Sequence, residues 1–137
     1  MNAEPPTGVV TFLFTDIEGS TELLARLGAR APAAFAAHDR IICAAVRRNR
    51  GYEVRTEGDS FFVAFARPTD AVTAAVSIQR SMARYPWAPD APMRVRIIRR
   101  SVRMRASTGN AVMLMAIPMN NANGQNCTDE SDRSGWR

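Results

Sequence analysis

Gly8-Val9-Val10-Thr11-Phe12-Leu13-Phe14-Thr15-Asp16-Ile17-Glu18-Gly19-Ser20-Thr21 is the stretch on which the architecture turns. Its first half is β-branched and aromatic with almost no polar interruption, the pattern of a central strand covered on both faces. Asp16 closes that strand. Gly19-Ser20-Thr21 then open an amphipathic helix in which Leu23, Leu24 and Leu27 recur at helical spacing and Gly28 supplies a stop. A carboxylate is thereby expected at a strand-to-helix junction.

Working outward, a second helix is expected from Pro32 through Phe35, His38, Ile41, Ile42, Ala45 and Val46 to Gly51, with its apolar residues three and four apart. His38, the one histidine, reads as a packed core residue and not as a ligand. Tyr52 to Thr56, with Tyr52, Val54 and Thr56 on one face, and Ser60-Phe61-Phe62-Val63-Ala64-Phe65 are two strands joined across Glu57-Gly58-Asp59. This is a β-hairpin with Asp59 at its tip. Pro68 and Asp70 start a helix whose inward face is read as Val72, Ala75, Val76, Gln79 and Met82, and Pro86 to Pro92 form a linker too rich in proline for regular structure. Met93-Arg94-Val95-Arg96-Ile97 alternates and reads as a further strand. The order βα(α)ββαβ predicts an α/β (α+β) fold, one sheet with helices on one face.

At 137 residues the chain fits one domain. It divides into a lead over residues 1–7, an organised domain over 8–97 and a tail over 98–137. The formal charge of +5 is uneven: residues 1–96 hold 12 Arg against 10 acids, whereas 97–137 hold 6 Arg against 3. The excess therefore belongs mostly to the tail. There the run Arg99-Arg100-Ser101-Val102-Arg103-Met104-Arg105 has no aromatic platform between its arginines and reads as a solvated or disordered segment, so a nucleic-acid partner is not expected. Cys43 and Cys127 form no metal-ligand spacing and are expected to be reduced, with Cys43 packed in a helix face. No apolar stretch approaches the roughly 18 residues of a membrane span, and the N-terminus lacks a signal-peptide pattern; no membrane association and a cytoplasmic location are the expectation.

Taken singly, an Asp after a strand and an Asp in a hairpin turn are ordinary surface residues. Their shared placement, each at the end of an apolar strand, raises a second reading. If the two strands pair, Asp16 and Asp59 share one sheet edge, where two carboxylates repel unless a cation lies between them. Hard oxygen donors in small number suit Mg²⁺ or Mn²⁺ better than zinc. The amides around Gly19, Ser20 and Thr21 open a helix N-terminus, which favours a phosphate.

Phe14 to Thr21, His38-Asp39, and Gly51-Tyr52-Glu53-Val54-Arg55-Thr56-Glu57-Gly58-Asp59-Ser60 through Phe65 together resemble the class III adenylate/guanylate cyclase catalytic domain in its bacterial form, over about residues 8–97. The resemblance implies a ferredoxin-like βαββαβ nucleotide cyclase core. It implies two metal ions, Mg²⁺ or Mn²⁺, held by Asp16, Asp59 and the backbone carbonyl of Ile17. It further implies a purine nucleoside triphosphate as substrate, converted by in-line attack of the ribose 3′-hydroxyl to cyclic AMP and pyrophosphate. Arg55, four positions before Asp59, stands where the family places a base-reading residue, commonly Lys; an exposed strand Arg is the plain alternative.

After Ile97 the resemblance ends. The family continues with a Gly-x-His-x-Gly turn, an acidic base-reading residue and a helix carrying Asn and Arg that act on the ribose and the transition state. None of these is matched in residues 98–137. The core is therefore read as C-terminally incomplete, its tail frameshifted or disordered. The expected partners are a purine nucleoside triphosphate and a second chain, either another copy or an intact cyclase domain. The alternative is a non-catalytic nucleotide-binding or dimerising regulatory module.

Overall fold

The computed structural model describes residues 6–104, with the side chains of Arg55 and Met104 outside that description. Strand β1 (Gly8–Ile17) leads into helix α1 (Ser20–Leu27), a 3-10 turn (Gly28–Arg30) and helix α2 (Ala31–Arg48). The hairpin β2 (Tyr52–Glu57) and β3 (Ser60–Phe65) follows, then helix α3 (Pro68–Arg84) and strand β4 (Val95–Met104). The sheet is antiparallel with strand order β2-β3-β1-β4. This is the ferredoxin-like βαββαβ arrangement, with one extra helix after β1.

The strand alternation sorts the sheet into two unlike faces. Leu13, Ile17, Phe61, Val63, Phe65 and Val95 point to the helices and pack with Leu23, Leu27, Ile42, Val46, Ile78 and Met82 into the main core. Val10, Val54 and Ala64, with Phe12, Tyr52 and Phe62 against them, form a smaller cluster on the opposite face, built from strand residues alone. The expectation that β1 is covered on both faces thus holds only in part, because Phe14 remains 40% exposed on the side away from the helices.

Three further expectations are corrected. Tyr52 pairs with Ala64 and Thr56 with Phe61, so these two residues of β2 lie on opposite faces; an irregularity between Glu53 and Arg55 shifts the period by one. In α3 the inward residues are Ala71, Ala74, Ile78 and Met82, while Val72 and Val76 are exposed. The alanines carry the same helical period and let the helix approach the sheet more closely than the valines would. Cys43 is buried in the core and is not a free thiol.

Two local features hold the frame. Gly58 adopts φ +58° at the hairpin tip, a conformation that favours glycine, and so brings β2 back as β3. Gly51 lies where a Cβ would stand 2.8 Å from Val46 Cγ1 and 2.9 Å from the Phe65 ring, so α2 can turn into β2 against the core only without a side chain there. The proline-rich segment has no regular structure, as read from the sequence, yet it is not loose: Trp87 Nε1 donates to the Met82 carbonyl at 2.8 Å, and Ala91 and Met93 are buried. Among the described residues no helix is long and apolar enough to cross a membrane.

Strand β4 begins two residues later than read and runs on to Met104, pairing with β1 from Ile17↔Val95 to Gly8↔Met104. Its amphipathic sense reverses along the way. Val95 and Ile97 face the helices, but the next positions on that side are Arg99, Ser101 and Arg103, and apolar Ile98 and Val102 fall on the open side. Residues 105–137, with most of the tail, lie outside the described residues.

Candidate metal and nucleotide site

β1 and β3 are antiparallel neighbours with Thr15 opposite Phe61, so the C-terminal end of one strand meets the N-terminal end of the other. The acidic residues interlock there. Ser60 Oγ donates to Asp16 Oδ1 at 3.2 Å, and the Ile17 amide donates to Asp59 Oδ2 at 3.2 Å. Each carboxylate is thus held by the residue beside the other, which brings the two acids read from the sequence to one end of the sheet.

Asp16 lines a cavity of about 510 Å³ on the open face, with Phe14, Phe62, Glu57, Arg96 and Ile98. The rings of Phe14 and Phe62 stack at 4.4 Å between centroids, an apolar floor beside an acid. Arg96 is the register partner of Asp16 on β4, and its Nη2 lies 3.6 Å from Asp16 Oδ2. Sequence reasoning missed Arg96 and Ser60. An Arg in an alternating strand looks like any solvated residue, and only the pairing of β4 with β1 reveals its neighbour.

Behind the site, Gly19 caps α1 and its carbonyl accepts from the Leu23 amide at 2.9 Å, leaving the Ser20 and Thr21 amides at the free end of the helix. Ser20, Thr21, Gly58 and Asp59 line a second cavity, so the residues read as phosphate-binding adjoin the Asp59 side of the pair. Arg55 lies on β2 opposite Phe62, with its side chain outside the described residues. His38 is fully buried, as read, and its Nδ1 is 2.9 Å from Asp39 Oδ1.

The donor chemistry fits a hard divalent cation, since the acids offer oxygen alone. Among the described residues no three His, Cys, Asp or Glu side chains gather as a metal cage. A pair of carboxylates completed by substrate phosphates is the way Mg²⁺ is usually held.

The sheet order and the interlocked acids agree with a nucleotide-cyclase catalytic fold, and comparison with known proteins supplies the family. The chain belongs to the adenylate and guanylate cyclase catalytic domain family, which its residues 3–128 match, a span that reaches past residue 97. It is 44% identical over 86 residues to a receptor-type adenylate cyclase of Trypanosoma brucei brucei, an alignment covering 63% of this chain and 7% of that protein. It is 42% identical over 83 residues to an adenylate cyclase of Lachancea kluyveri, covering 61% and 4% respectively. The chain therefore spans less than a tenth of the length of either relative. Among solved structures, a Trypanosoma brucei adenylate cyclase in its monomeric state superposes with a TM-score of 0.67 at 30% identity, covering 73% of this chain and 58% of that one.

Proposed function

We propose that this chain supplies the metal- and phosphate-holding half of a class III nucleotidyl cyclase site, acting on a purine nucleoside triphosphate, with ATP to cyclic AMP and pyrophosphate as the reaction. The observation that carries this reading is the interlock of Asp16 with Ser60 and of Asp59 with the Ile17 amide. It sets two carboxylates at one strand end beside a helix N-terminus.

In this reading Asp16, Asp59 and the Ile17 carbonyl hold two divalent cations, Mg²⁺ or Mn²⁺. When bound, these supply activation of the 3′-hydroxyl and neutralisation of the triphosphate charge. The amides of Ser20 and Thr21, opened by Gly19, receive phosphate oxygens at the positive end of α1. Arg96 offers a guanidinium to a phosphate oxygen at the wall it shares with Asp16. Arg55 meets the purine base, on the strength of the resemblance alone.

Completion by a second chain is part of the proposal. The Asn and Arg of the family pattern are not matched after Ile97, and loss of one transition-state donor typically costs about 10²- to 10³-fold in rate. The reversal of amphipathic sense in β4 beyond Ile97 supports reading the sequence from Ile98 as a departure from the family pattern, although the family match itself continues to residue 128. Another reading frame of the gene just past this point is then expected to encode a His-x-Gly-Glu-like segment and an Asn-x-x-x-Arg helix, and finding only noise there would remove the frameshift.

Complementation tests the function. This chain is mixed with an intact cyclase domain whose own metal carboxylates have been replaced. Restored cyclic nucleotide production supports the proposal; absence of product at saturating Mn²⁺ contradicts it. The alternative, a non-catalytic dimerising module, draws on the open face, where Phe14 is 40% and Ile98 61% exposed.

A further inference from the structure

The arginine run that begins at Arg99 has no aromatic residue within it, so along the chain it offers a nucleic acid charge alone. Strand register changes that. β4 is the outer strand of the sheet beside β1, which sets Arg100 opposite Phe12 and Ile98 opposite Phe14. One strand further in, Phe62 of β3 stands opposite Phe14. Rings scattered in sequence therefore share one surface with the arginines, on the face away from the helices.

That surface has the make-up of a stacking platform. Phe14 and Phe62 lie 4.4 Å apart and nearly parallel, at 8°, and Phe12 leans on Phe62 at 4.9 Å. Phe12 and Phe62 pack against Val10, Val54 and Ala64, which holds the rings in place, while Phe14 remains 40% exposed. Rings fixed in this way meet a ligand at lower ordering cost than mobile ones. Alongside them β4 carries Arg96, Arg99, Arg100 and Arg103, all exposed, and no acid. The carboxylates of Asp16 and Glu57 gather at one end of this face, in the cavity they share with Arg96. Farther along the sheet Arg100 flanks the rings.

We propose that the open face of the sheet binds single-stranded nucleic acid, with unpaired bases stacked on Phe14 and its neighbouring rings and the phosphate backbone following the arginines of β4. A four-stranded sheet with aromatic residues on its central strands can stack two or three bases, and rings beside a basic track take single strands with little regard to sequence. A duplex keeps its bases stacked on one another and offers these rings nothing. A second copy of the chain would bring the same arginine strand and the same formal charge of +5 to the contact. A polyanion instead releases counterions as the arginines neutralise its phosphates. The binding calls on neither Asp59 nor the amides of α1, so it stands apart from the metal and triphosphate reading.

The test is fluorescence anisotropy of the full chain with a labelled oligouridine of about 10 nucleotides, with a chelator present so that no divalent ion contributes. The single strand is expected to bind about tenfold more tightly than an RNA duplex of equal length. Phe14→Leu keeps an apolar side chain on the sheet but removes the ring, and is expected to weaken binding about fivefold, the loss of one stacked base. Arg100→Gln is expected to lower the slope of log affinity against log salt by about 0.7, one phosphate contact. No binding, equal binding of strand and duplex, an affinity untouched by Phe14→Leu or a slope untouched by Arg100→Gln each overturns the proposal. So does self-association, seen by sedimentation, that Phe14→Leu abolishes and the oligouridine leaves unchanged, because the face then belongs to a second copy. Circular dichroism shows that each variant is folded; should Phe14→Leu unfold, the comparison of strand with duplex and the Arg100→Gln slope decide the question alone.

Discussion

The Ile17 amide donates to the Asp59 carboxylate at 3.2 Å, across the ends of two strands 42 positions apart in sequence. The bond fixes the hairpin tip to the exit of β1, and the neighbouring Ser60–Asp16 bond fixes it a second time. It gives the acid at 59 a structural role through its oxygen, separable from the metal-holding role proposed for its charge.

Asp59→Ala and Asp59→Asn separate those roles. The alanine leaves the Ile17 amide without its acceptor and is expected to cost about 1 kcal/mol, the usual net worth of such a bond. The asparagine keeps an oxygen and is expected to cost less, yet to lose Mn²⁺ binding as fully as the alanine. Urea unfolding beside a Mn²⁺ titration of each variant checks both outcomes.

If Asp16 holds a metal ion as proposed, Arg96, 3.6 Å from its carboxylate, competes with that ion. Both side chains are well exposed, 63% and 49%, so the pair is screened by solvent and worth at most about 1 kcal/mol. Arg96→Gln is therefore expected to tighten binding of Mn²⁺ alone by up to about fivefold. The same variant is expected to weaken binding of a triphosphate, which loses a cation. The opposed directions are the signature, read by calorimetry with Mn²⁺ and with a nonhydrolysable ATP analogue.

Gly51→Ala probes packing where α2 meets the sheet. A methyl group there would stand under 3 Å from Val46 and Phe65, both fully inside the core. Neither can yield freely, and overpacking of this kind costs about 1–3 kcal/mol. A fall in the urea midpoint with an unchanged slope is the expected result.

The Arg30–Asp90 pair clips the proline-rich segment to the turn after α1 through two hydrogen bonds, at 3.0 and 2.8 Å. The hydrogen bonds from Arg30 hold the Asp90 carboxyl below the ordinary aspartate value. A lowered carboxyl pKa adds stability above the unfolded value, near pH 4, and that stability is lost as pH falls through the folded value. Asp90→Asn is thus expected to melt slightly below the wild type at pH 7 and to approach it under acid. High salt is expected to shrink the difference, because both partners are exposed.

What was legible in the sequence follows from what short-range pattern encodes. The bounds of β3, the hairpin tip at Asp59, the start of α3 at Pro68 and the core placement of His38 all came from local periodicity and turn chemistry. The period slip in β2 was not legible, because an irregularity leaves Tyr52, Val54 and Thr56 looking like an unbroken alternation. The inward face of α3 was misread because Ala71 and Ala74 are weak hydrophobic signals beside Val72 and Val76, although small residues suit a helix packed close on a sheet. The far half of β4 was missed because its apolar residues change sides after Ile97. Of the site, the two acids were readable from motif spacing, whereas Ser60 and Arg96 depend on strand register, which no local pattern carries.

The measurement that bears most directly on the central claim is calorimetric titration of Mn²⁺ with a nonhydrolysable ATP analogue into the full chain and into Asp16→Ala. The account predicts saturable heat for the wild type and its loss in the variant, with circular dichroism unchanged. Unchanged heats in Asp16→Ala would mean that the acidic pair is not the metal and nucleotide site.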